Sequence, residues 1–294
     1  MGFLLRLRSP RERTPVVQVV GAEPAVDARL TLRQLQELAG ELPKPLLRAL
    51  IAGSRPAIRF AVRPLAEGEA AAVGVSRFGG RPDLPPEVTW PSRTDPADGG
   101  ERALSFLAQV SLAGLVGGTD LPLPREGLLL FFCDTSADPA NGVFDLSGNG
   151  VHQPCRLLHV PADGLRRRPT PEQVLEFAPA ILGPVFVTTI PEPAELDDVD
   201  GPERTAYDRF SDAVERRVRS VAGAGWAIAG RHQLGGHARE PLGQVLLRVD
   251  GDESLGVGWG HGSARFRASR SDDLGEVDWS QAWVTHVAAV PDLR

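Results

Sequence analysis

The alternation of apolar and polar positions along the chain predicts many strands and few helices. Between Asp27 and Gly40, Leu30, Leu32, Leu35 and Leu38 recur at helical spacing, with Thr31 or Asp27 placed to cap the start and Gly40 to close the end. A second short helix runs from Pro45 to Ala52 and stops at Gly53. PAIRFAVRPL, Pro56 to Leu65, alternates apolar and basic residues and predicts a half-buried strand with its arginines outward. Further strands are predicted at Leu104–Val110, Gly127–Asp134, Cys155–Val160, Pro184–Ile190, Gln244–Val249 and Ala264–Ala268, with a last one in AWVTHVAAV. Of these, Gly127–Asp134 is the most continuous apolar run and reads as a central strand covered on both faces. Two more helices are predicted. One starts at Thr170, Pro171 and Glu172 and takes in Val174 to Phe177; the other follows Pro202 within Asp197–Gly223 and carries Tyr207, Phe210, Val214 and Val218 on one face. The opposite face of that helix, Arg204, Asp208, Asp212, Glu215, Arg216 and Arg219, reads as a solvated surface of paired charges.

These elements give an α+β fold class, mainly antiparallel sheet with flanking helices. Strict strand-helix alternation is absent, which disfavours a doubly wound nucleotide-binding fold. Residues 1–54 read as an N-terminal arm and helices, with 1–24 either a disordered arm or a single edge strand, and 55–294 as one domain. Within that domain two stretches, about 76–134 and 230–268, look like copies of one unit. Each has a Gly-Gly turn, Gly79-Gly80 or Gly235-Gly236, then a strand containing Gln-Val, a loop, and a glycine opening the next strand. Eighteen residues separate Gln109 from Gly127 and Gln244 from Gly262, with Phe131 and Phe266 each four beyond the glycine. An internal duplication of a Gly-Gly turn plus strand unit is the reading this supports. It places the two glycine pairs facing each other across a pseudo-twofold axis.

Composition narrows the function classes. A net charge of −6 leaves no concentrated basic face for nucleic acid. Lys44 is the one lysine among 32 basic residues, the imprint of GC-rich codons. No run approaches the 18 or so apolar residues of a membrane helix, and MGFLLRLRSPRER is too short in its apolar part for a secretory signal. A cytoplasmic protein is expected, with no nucleic acid or membrane partner. Cys133 and Cys155 both lie in apolar strand-like runs and read first as buried reduced thiols, with a disulfide or a reactive thiol as the alternative.

SRFGGRPDLPPEVTWP (76–91), LSFLAQVSL (104–112), LPREGLLLFFCD (123–134), HQLGGH (232–237) with a downstream Gln244 and LLRVDGD (246–252), then RSDDL (270–274) and WSQAWVTHV (279–287), together and in this order resemble the YwqG-like bacterial family. The resemblance spans Ser76 to Val287 and implies a cytoplasmic α+β protein of unknown function. The stretch between Val160 and Gly230 departs from it and reads as a long insertion.

Three chemistries are open. His232 and His237, with Asp250 and Asp252, could hold a metal, against the plainer reading that the histidines fix a loop. Gly79, Gly80, Gly235 and Gly236 free backbone amides beside Arg77, Arg81, Arg231 and Arg239, a pattern suited to phosphate or carboxylate, against a tight turn that simply needs positive φ. DGDES, Asp250 to Ser254, with His261 offers groups for hydrolysis, but no G-x-S-x-G elbow is present and Ser147 in LSGNG lacks its first glycine. The leading expectation is a non-enzymatic binding or interaction module near the two Gly-Gly loops, its partner a protein or a small anionic ligand. Candidate contacts are Arg77, Gly79, Gly80, Arg81, Gln109, His232, Gly235, Gly236, His237 and Gln244. An enzyme acting on a phosphorylated or carboxylated small molecule with His232 or His237 as general base is the first alternative, and a metal-binding module the second. No cofactor is expected.

Overall fold

The apolar runs pair into one large antiparallel sheet, seen in a computed structural model that describes residues 18–22, 25–95, 97–135, 155–196, 199–228, 230–237, 244–257, 262–268 and 283–288. Its strands are β1 (Val26–Asp27), β2 (Arg55–Pro64), β3 (Arg77–Phe78), β4 (Ser105–Ser111), β5 (Leu128–Cys133), β6 (Cys155–Val160), β7 (Ala180–Thr189), β8 (Gln233–Gly235), β9 (Gln244–Asp250), β10 (Gly262–Ala268) and β11 (Trp283–Ala288). They are ordered 6-5-4-3-7-2-8-9-10-11, with β1 added parallel to β7. The sheet curls into a half-barrel. Three α-helices lie among the described residues: α1 (Leu32–Leu38), α2 (Lys44–Ala52) and α3 (Gly201–Arg219). Thr31 caps α1 by accepting from the Gln34 amide while the Gln34 side chain accepts from Thr31, a reciprocal capping box.

The strand order reads the same from either side of the central β7–β2 pair. Phe60 N–H donates to the His232 carbonyl at 2.9 Å, and Leu182 N–H donates to the Ser76 carbonyl at 3.0 Å. Ser76 thus corresponds to His232, and Phe60 to Leu182. One further out, β4 and β9 each skip a leucine where they meet the next strand, Leu107 and Leu246, through a register shift at the same relative place. Phe131 lies opposite Ala108 and Phe266 opposite Leu247, so these two phenylalanines correspond as their spacing predicted. They also touch, with ring centroids 5.2 Å apart and edge to face. Gln109 and Gln244 do not correspond. Arg77 faces Gln109, whereas Gln233 faces Arg248, which makes Arg248 the counterpart of Gln109 and leaves Gln244 at the opposite end of its strand. Each central strand pairs with the glycine strand of the other half, β2 with β8 and β7 with β3.

The two glycine pairs do not face each other. Phe78 pairs with Ala180, while Gly235 lies beside Ala57, which pairs with Val187. Seven residues along β7 separate those positions, roughly 23 Å at about 3.3 Å per strand residue. A cleft between the two loops is therefore ruled out by the antiparallel run of the central strands. The stretch between Val160 and Gly230 supplies β7 and α3 and is built into the centre of the sheet. The segment from Thr170 to Phe177 is not helical. Val174 closes one turn onto the Pro171 carbonyl, Gln173 takes a left-handed φ of 67°, and the chain runs on irregularly so that the Phe177 carbonyl receives the Gly80 amide.

The sheet's concave face holds the main core, including Ile58, Phe60, Leu107, Leu129, Phe131, Leu182, Leu246 and Phe266. On the other face, the loop from Pro82 to Leu104 covers β4–β6, with Trp90 donating to the Leu104 carbonyl at 2.9 Å and meeting Phe132 edge to face. Val218 of α3 packs on Ala57, Ala61, Val185 and Val187 over the central strands. Leu35, Leu46 and Leu50 of α1 and α2 cover Tyr207, Phe210 and Val214 of α3. Gln18–Val20 forms a short parallel pair with Glu69–Ala71.

Gly79 shows what the glycine turns are for. Its φ is +59°, and a Cβ there would stand 2.3 Å from the Ala178 carbonyl oxygen; Gly68, at φ +81°, has open space around the same position. Gly68→Ala is expected to cost about 1 kcal/mol from the left-handed backbone alone, and Gly79→Ala roughly 3 kcal/mol or more because the chain must also move apart. Urea unfolding of both variants checks this, and equal losses would show that close approach contributes nothing.

Candidate functional site

Two polar clusters lie under the convex face, one in each half. In the first, Arg77 points outward from β3 and is fully buried, flanked by Gln109 on β4 and Asp83. Asp83 accepts from Arg167 Nε at 2.9 Å, from Gln109 Nε2 at 2.7 Å and from the Gly74 amide at 3.0 Å, and lies 3.4 Å from Arg77. Burial opposes its charge, but Arg167 and Arg77 outweigh this and hold the carboxyl below the usual range. Burial also lowers the Arg77 guanidinium to about 10, and the guanidinium sits 5.6 Å from the Phe106 ring. Arg77 and Gln109, read from the sequence as ligand contacts, are sealed into this network. The Gly79 and Gly80 amides donate to the Leu107 and Phe177 carbonyls, both at 2.8 Å, so they form no open anion nest. Arg81 is exposed beside Glu176.

The second cluster is more open. Arg59, on β2, points to the same convex face but under α3. It grips Glu215 of α3 with both terminal nitrogens, at 2.7 and 3.2 Å, and donates Nε to Gln233 Oε1 at 2.8 Å. The expected solvent-facing arginine is thus 4% exposed, and Glu215, expected on a solvated helix face, is its counter-ion. Burial pushes the Glu215 carboxyl up, yet Arg59 and Arg231 bring it below the usual range. Arg231 N–H and Arg248 Nε hold the two oxygens of Asp250, at 2.8 and 2.7 Å. The Arg231 and Arg248 guanidinia then meet across Glu192, whose Oε1 lies 3.6 Å from one and 3.7 Å from the other. Thr188, Thr189, Tyr207, Ser211 and His237 complete the lining of a small pocket with about 40 Å³ of free space, room for one or two waters.

The histidines do not join into one site. His237 sits between a Nδ1 contact to Glu195 at 3.0 Å and a Nε2 contact to the Gly53 carbonyl at 2.5 Å, tying the second glycine turn to the end of α2. Both ring nitrogens are taken up by oxygens of the protein, so neither is open to a substrate. His232 is buried on the concave side, its Nε2 3.1 Å from Asp252, which also accepts from Ser254 N and Oγ. Its Nδ1 has no hydrogen-bond partner. Among the described residues no three His, Cys, Asp or Glu side chains are grouped to hold a metal. DGDES forms a short 3-10 turn over Glu253–Leu255. Arg239, Ser147, His261 and the side chain of Gln244 lie outside the described residues. Sequence reasoning missed Arg59 and Glu215 because arginines spaced four apart on a strand and charges on a helix both look like solvent faces, and Glu192 because it lies in an irregular Pro-Glu-Pro stretch. The signal available was that Glu215 lies on the flank of the Tyr207, Phe210, Val214 and Val218 stripe.

Acid should expose this dependence. A carboxyl whose pKa is depressed by folding contributes stability that is full above its ordinary value, 4.5 for Glu215, and is lost as pH falls through the lower folded value. Glu215→Gln is therefore expected to lose about 3 kcal/mol at neutral pH, by stranding Arg59, and to flatten the acid limb of a stability profile measured by chemical denaturation. An unchanged acid limb would show that Glu215 carries no such linkage.

Comparison with known proteins adds the family. No curated protein matches the chain. A family model described as a domain of unknown function, DUF1963, matches residues 76–286, which runs from the first glycine turn into β11 and takes in Arg77, Asp83 and Gln109 of the first cluster and Glu215, Arg231 and Arg248 of the second, but not Arg59 or the rest of β2. The chain belongs to the DUF1963 family.

Proposed function

We propose that the protein is a non-enzymatic binding module that takes a small anionic group, a carboxylate or a phosphate, beside the second glycine turn where Arg231 and Arg248 converge. The contrast between the two halves carries this reading. At corresponding places on the convex face, the first half is closed around Asp83, with Asp83 and Gln109 fully buried. The second half leaves the Arg231 side chain 34% exposed and brings two guanidinia to Glu192 at 3.6 and 3.7 Å, with Arg231 also 3.3 Å from Glu215. An entering anion would take the place of the Glu192 oxygen and receive forked donors from two sides. The pocket admits only a terminal group, so the rest of the ligand would lie on the surface. The duplicated-unit reading fits the same contrast, one copy serving as structure and the other as site. We take the protein to be cytoplasmic and its family to be the YwqG-like bacterial one. No helix of the described residues is long and apolar enough to cross a membrane. Exposed large apolar side chains among those residues, Val19, Val26, Leu32, Val73 and Val116, are single positions on different segments, which gives a protein partner little to bury.

The test is a thermal-shift titration with phosphate, acetate and citrate at constant ionic strength, using chloride as control. A ligand at 100 times its Kd adds about 2.7 kcal/mol to folding. At least one anion should give a saturable shift that Arg231→Gln abolishes, each shift being read from that protein's own unliganded midpoint. No shift with any of them, or an equal shift in the variant, overturns the reading.

A further inference from the structure

The two cysteines of the chain sit where a covalent link could form. The register of β5 on β6 puts Cys133 directly opposite Cys155. Directly opposed residues of an antiparallel pair keep their Cα atoms about 4.5 or 5.5 Å apart, inside the range that a disulfide spans. Both side chains are 1% exposed and belong to the concave core. Burial pushes the Cys155 thiol up to about 12 and raises that of Cys133 as well, with Cys155 itself adding to the effect. Neither thiol is therefore a nucleophile while the ladder is closed.

Their position along the strands changes this. Cys133 is the last residue of β5 and Cys155 the first of β6, and β6 is the outermost strand on its side of the sheet. Among the described residues theirs is the last rung of the β5–β6 ladder, and end rungs of edge strands open at lower cost than core rungs. The neighbouring residues hold the same end of the sheet in place: Ser105 and Thr135 share a hydroxyl contact of 2.5 Å, and Arg93 pairs with Asp134.

We propose that Cys133 and Cys155 form a reversible intramolecular disulfide, with the disulfide of a low-molecular-weight thiol as oxidant. One thiolate, formed as the rung opens, attacks the small disulfide and releases one small thiolate. The second thiolate then attacks the protein-bound sulfur, closing the Cys133–Cys155 bond and releasing the other. Two electrons pass to the small disulfide, and the two thiol protons end on the released thiols.

The experiment incubates the full chain with oxidised glutathione, with and without sub-denaturing urea, quenches with acid, and alkylates the unfolded product for mass spectrometry. The expected product has lost two hydrogens, carries no alkyl group and no glutathione, yields a single peptide pair joined through Cys133 and Cys155, and reverts on adding a reductant. Urea below the unfolding transition should speed its formation several-fold. Two freely alkylated cysteines after incubation in urea, two glutathione adducts, or a cross-linked dimer would each overturn the proposal. Cys155→Ala should hold a single glutathione on Cys133 in place of the link; a variant that stays unmodified under the same conditions would show that the rung does not open and would also count against it.

Discussion

The pairing of β2 with β7 is the constraint on which the rest depends. All ten residues of β2 lie opposite all ten of β7, Arg55 against Thr189 through Pro64 against Ala180. These strands are more than a hundred residues apart in the chain, so their ladder carries a large loop-closure cost that apolar contacts on both sides must offset. On one side, Ile58, Phe60 and Leu182 enter the concave core; on the other, Ala57, Ala61, Val185 and Val187 receive α3. Each half then attaches through its glycine strand to the central strand of the other, so neither glycine turn has a place without this pair.

Buried charge gives the convex face its specificity more than its stability. Apolar side chains in place of both Arg59 and Glu215 would pack under α3 without the cost of desolvating two ions, and buried ion pairs replaced whole by hydrophobes are often neutral or better. What Arg59 does is fix one register: its fork meets both oxygens of Glu215 while its Nε finds Gln233. Arg77, Arg167 and Asp83 serve the first half in the same way by tying β3 to the Pro82–Leu104 loop and to Arg166–Arg167, which pairs with it. The corresponding places thus use different residues to lock the same strand positions.

Much of the fold was legible because its signals are local. The Thr31 cap, the Gly53 stop, and the Tyr207, Phe210, Val214 and Val218 stripe each act within a turn or two of helix. The strand runs were legible for the same reason, and the Gly127–Gly262 and Phe131–Phe266 spacing survived intact in the ladders. The failures are all tertiary. Which cover lies over Arg59 is decided by α3, whose Glu215 is 156 residues away, and no pattern in PAIRFAVRPL records it. Gln109 and Gln244 share a Gln-Val dipeptide and a spacing, yet strand register gives Gln109 a different counterpart. The Thr170–Phe177 stretch has helical composition but makes one turn and then runs irregularly to where the Phe177 carbonyl receives the Gly80 amide. Of the residues around the second pocket, Arg231 and His237 are named by the sequence through their place beside the second glycine turn, while the acids Glu192 and Glu215 come from elements far away in sequence.

The exchange of central strands between halves has a consequence for how the protein is made. During synthesis β2 leaves the ribosome long before β7 and β8, its two neighbours, exist. Ile58, Phe60 and Val62, together with unpaired backbone on both edges, must wait while more than a hundred further residues are added. Such a strand invites pairing with another chain. The first half cannot complete its own sheet early, because β3 needs β7 as well. Assembly is therefore deferred to the arrival of residues 180–189, and a nascent chain paused before that point holds a ready template for aggregation in place of a finished domain.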